Sequence, residues 1–60
     1  MDALKAAELA RALRDAHGAE APAVAARRIR AYEAKGDATE VANWQRIRNA
    51  LSVTSPPGQG

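Results

Sequence analysis

Two stop-and-start signals divide this chain, and the sharper is Gly36-Asp37. Gly36 lacks a Cβ and takes the left-handed conformation that closes a helix. Asp37 suits the cap of the next helix, with Glu40 three positions on as its reciprocal partner. Upstream, His17-Gly18 ends one periodic stretch and Pro22 opens another. Proline in the first helical turn loses no intrahelical hydrogen bond. The intervening residues are mostly alanine, leucine, arginine, lysine and glutamate, all strong helix formers. This pattern predicts three short helices joined by tight turns. The expected fold is all-α, a small three-helix bundle: a three-helix domain over 1–52 and a flexible, disordered C-terminal tail over 53–60. Pro56, Pro57, Gly58 and Gly60 cannot continue a helix.

Asp2 is expected to cap a first helix from Ala3 to His17. Ala6, Leu9, Leu13 and Ala16 fall on one stripe, with Ala10 beside it. Leu4 lies off the stripe, placed to close the bundle end or meet a partner. A second helix starts at Ala21 or Pro22 and carries Val24, Ala25, Ile29 and Tyr32 on one face. A third follows Asp37 to Leu51 or Ser52, with Val41, Trp44, Ile47, Arg48 and Leu51 along one side. The expected core is therefore Leu4, Leu9, Leu13, Val24, Ile29, Tyr32, Val41, Trp44, Ile47 and Leu51. A domain of 60 residues buries only about 60% of its unfolded surface. So thin a core favours a partner or a second copy.

Composition narrows function mostly by exclusion. The chain has no cysteine, so it has no disulfide, thiolate metal site or cysteine nucleophile. A cytoplasmic location is the expectation. Charges at Asp2, Lys5, Glu8, Arg11 and Arg14 break up any signal peptide or membrane span. His17 is the single histidine, and its expected place is the closing turn of the first helix. No cofactor and no metal are expected. Ser52, Thr54 and Ser55 have no base held near them, and Gly18 and Gly36 are isolated rather than part of a phosphate loop. The chain reads as no enzyme, with no small-molecule substrate and no membrane partner.

The order His17-Gly18, Ala21-Pro22, Ala25-Ala26, Arg28, Gly36-Asp37, Trp44, Arg46-Ile47 and Ala50 resembles that of a group of short, uncharacterised helical proteins of alphaproteobacterial type. The resemblance runs from Leu9 to Leu51. It implies the helical layout and a bacterial cytoplasmic setting. It implies no activity and transfers no site residue.

Net charge is +2, and seven of the nine cations are arginines, which favour planar contacts to carboxylate or phosphate. The candidate contact residues are Arg27, Arg28, Arg30, Trp44, Arg46 and Arg48. Trp44 has two readings, as core and as the anchor of an interface. The leading expectation is a small non-catalytic protein–protein interaction or regulatory module, with a protein partner or self-association. The alternative is a weak arginine-mediated nucleic-acid binder. A helix-turn-helix reader is a further variant, with Asn43, Gln45, Arg46 and Asn49 on the reading helix.

Overall fold

The computed structural model describes residues 1–53. Three helices account for almost all of them: α1 (Ala3–His17), α2 (Ala21–Lys35) and α3 (Ala38–Val53). The fold is an all-α three-helix bundle. The third helix includes Val53; the rest of the expected tail lies outside the described residues.

Each boundary has a local chemical cause. The Asp2 carboxylate accepts a hydrogen bond from the Lys5 N–H at 2.8 Å, satisfying one orphan donor of α1. Gly18 ends α1 at φ 58°, ψ −130°, where a side chain is strongly disfavoured, and its N–H bonds back to the Arg14 carbonyl. The join to α2 is not a bare turn: Gly18–Glu20 form a single 3-10 turn, and Pro22 then sits in the first turn of α2.

The second boundary matches its sequence reading in part. Gly36 is left-handed at φ 73°, ψ 22°. Its N–H bonds to the Glu33 carbonyl, and the Asp37 N–H bonds to the Tyr32 carbonyl, both at 3.0 Å. Asp37 Oδ1 then accepts from the Glu40 N–H at 3.2 Å. The reciprocal half of the capping box does not form. The Asp37 N–H is already committed to Tyr32, so the Glu40 carboxylate accepts from Asn43 Nδ2 at 3.0 Å instead.

Helix α3 is the common element and packs against both α1 and α2. The α2–α3 pair is an antiparallel hairpin. Arg28, eight residues before Gly36, reaches Trp44, eight residues after it. Ala21 and Leu51, fifteen residues to either side of Gly36, share one buried cluster. Helix α1 ends beside the end of α3, where Arg14 Nη2 donates to the Leu51 carbonyl at 2.7 Å.

The core cluster is Ala6, Ala10, Ala21, Ala25, Ile47 and Leu51, flanked by Leu13, Trp44 and Ala50. Val24 and Ile29 are buried as expected. Leu4 and Leu9 are not: they are 72% and 37% exposed. Leu13, Tyr32, Val41 and Trp44 are half-buried, and Ala16 is exposed. The contact face of α1 is centred on Ala6 and Ala10 rather than on the leucines. Alanines let helix axes approach towards the short end of the usual 8–10 Å range, and the bulkier side chains then flank the contact. Leu4 lies outside it altogether.

Candidate functional site

Trp44 sits one turn before Ile47 and two before Leu51 on α3, so its ring meets the edge of the core cluster and stays half-buried. The hairpin register sets Arg28 of α2 at the same level. The Arg28 guanidinium lies 5.8 Å from the Trp44 ring centroid. Such a contact stabilises by about 0.5–1 kcal/mol at an exposed site. It also holds a delocalised cation in place at the surface, its planar fork open to a carboxylate or phosphate. A second pair, Lys35 Nζ at 5.7 Å from the Tyr32 ring, closes the far end of α2.

The six candidate contact residues do not form one patch. Arg27, Arg28, Arg30, Arg46 and Arg48 are all exposed. At about 100° per residue, Arg27 is turned about 100° around α2 from Arg28, and Arg30 about 160°. Arg48 follows Trp44 by four residues and shares its side of α3. Arg46 is turned about 160° from Arg48. Only Arg28 and Trp44 are in contact, with Arg48 one helical turn further along.

Two features escaped sequence reading. The Arg28–Trp44 pairing was available from the equal spacing about Gly36, once the turn was taken as the centre of a hairpin. The Arg14–Leu51 bond had no local signal, because it joins residues 37 positions apart.

The described residues also form surface depressions, two of which bear on function. One, of about 380 Å³, lies at the α2–α3 turn between Glu33, Asp37, Val41 and Gln45. Its helix N-terminus is already occupied by the Asp37 carboxylate. The other, of about 630 Å³, runs along α1 past Leu4, Ala7, Glu8, Arg11 and Asp15. Among the described residues no group of three or more His, Cys, Asp or Glu side chains is placed to hold a metal. No helix among them is long and apolar enough to cross a membrane. Compared with family models, curated proteins and solved structures, the chain matches none.

Proposed function

We propose that this chain is a small non-catalytic interaction module that engages a protein partner through the α2–α3 face at Trp44 and Arg28. The observation that carries the reading is the half-buried indole with a guanidinium over its ring. Tryptophan and arginine are the residue types most enriched at interface hot spots. An indole already half out of water gains further apolar burial when a partner covers it.

Affinity capture from the native host with the wild-type chain and with Arg28→Ala tests the reading. The expected result is a protein retained by the wild type and released by the variant, with unchanged circular dichroism. Retention indifferent to Arg28, or no retained protein, overturns it.

A second reading is weak nucleic-acid binding by the exposed arginines. It predicts binding to short duplexes that strengthens steeply as salt is lowered. Absence of binding at low ionic strength removes it.

A further inference from the structure

The charges of α1 and those of the hairpin are arranged differently. On α1, Glu8 has Lys5 and Arg11 three residues to either side, and Arg11 has Asp15 four residues on. These are the spacings at which helical side chains neutralise one another. On the hairpin the pattern fails. Arg27, Arg28, Arg46 and Arg48 have no Asp or Glu three or four residues away in either direction. No acid occurs between Glu20 and Glu33, and none follows Glu40. With Arg14, five of the chain's seven arginines have no acid three or four residues away. Arg14 donates to the Leu51 carbonyl across the bundle, and the other four all lie on the hairpin. Two of these lie near Trp44: Arg28 sits over its ring, and Arg48 follows it by one turn on α3.

We infer that the partner presents an acidic polypeptide segment, with carboxylates that meet Arg28 and Arg48 while its apolar side chains cover the Trp44 ring. This rests on the interaction reading above and adds the partner's chemistry. Arg28 is already held over the indole, so its fork is pre-positioned for bidentate contact with a carboxylate. Arg48 lies about 6 Å along α3 from Trp44, a spacing that carboxylates one helical turn apart reproduce. A nucleic-acid duplex suits the face less well. Arg27, Arg30 and Arg46 diverge around their helices, and the hairpin end carries Glu33, Asp37 and Glu40, which repel a continuous phosphate backbone.

The test is selection from a displayed library of random peptides, each about 16 residues long, on the full chain. Recovered peptides are then titrated while the emission of the sole tryptophan is read. The expected binders are acidic, and replacing their glutamates by glutamine weakens them at least about tenfold. Arg28→Gln combined with Arg48→Gln weakens them roughly twofold to thirtyfold, the range two exposed ion pairs give. Arg46→Gln, on another side of α3, leaves them unchanged. Binders that tolerate the glutamine replacement overturn the acidic inference while leaving the interaction reading standing. A short DNA duplex that displaces them at lower concentration assigns the arginines to nucleic acid. An empty selection, or binders equally sensitive to Arg46→Gln, sinks the inference; the capture experiment judges the interaction reading separately.

Discussion

Helix α1 and the α2–α3 hairpin contribute to the same small core by different means. The hairpin supplies its bulk: Val24, Ile29, Ile47 and Leu51 are buried there, beside Ala21 and Ala25. Helix α1 supplies two alanines, Ala6 and Ala10, with Leu13 at the flank. Its Leu4 stays largely in water, and Leu9 keeps 37% of its surface exposed. The surfaces differ in the same sense. On α1, Lys5, Glu8, Arg11 and Asp15 are spaced to satisfy one another, whereas Arg27, Arg28, Arg46 and Arg48 of the hairpin have no acid three or four residues away. One region thus serves as a smooth cover, and the other holds both the packing and the unspent charge. The face proposed for recognition lies on the elements that carry most of the packing.

The largest effect expected from this contrast is at Leu51 or Ile47, each 1% exposed. Either one changed to Ala should cost about 2–5 kcal/mol, enough to unfold much of so small a domain. Urea denaturation followed by circular dichroism measures it. A loss below about 1 kcal/mol would mean that the hairpin does not carry the core.

Ala10→Leu comes next. The site is 1% exposed and has no room for three more carbons, so overpacking should cost about 1–3 kcal/mol. A stabilising result in the same assay would show that α1 sits less closely than its alanines indicate.

Gly36→Ala probes the hairpin turn. Nothing lies within 4 Å of an added Cβ, so the penalty is purely conformational, about 1–2 kcal/mol for a left-handed residue. Asn at the same position should recover part of it. Equal stability of the wild type and both variants would show that the turn does not need its positive φ.

Asp2→Ala and Asp37→Ala compare the two helix starts directly. Each removes one cap and should cost about 1 kcal/mol. The smallest effect belongs to Leu4→Ala, which should shift stability by no more than about 0.5 kcal/mol, because the side chain is 72% exposed. A larger loss, dependent on protein concentration, would place Leu4 in a dimer contact.

The helix boundaries were readable because they depend on residues adjacent in sequence. Asp2, Gly18, Pro22, Gly36 and Asp37 act on backbone groups within a few positions of themselves. The 3-10 turn over Gly18–Glu20 was missed because the short linker allows several ways of turning. The core was half readable. On α2 and α3 the large apolar side chains and the contact face coincide at Val24, Ile29, Ile47 and Leu51. On α1 they do not: periodicity gives weight to side-chain size, whereas close approach favoured Ala6 and Ala10. The candidate site was readable as a set of residue types and not as a constellation. Arg28 and Trp44 meet only because the hairpin closes in one register, while helical periodicity turns Arg27, Arg30 and Arg46 to other sides.

The bond from Arg14 to the Leu51 carbonyl has a consequence for fidelity of assembly. Alanine faces offer little relief, so a helix resting on them meets only a weak barrier to sliding or rolling. A directional polar latch near the far end forbids those neighbouring alignments, because displacement by a residue strands the carbonyl. Swapping Arg14 for methionine would therefore blur the pose of the first helix before it melts it, visible as broadened Ala6 and Ala10 methyl resonances in a molecule whose overall helicity is intact.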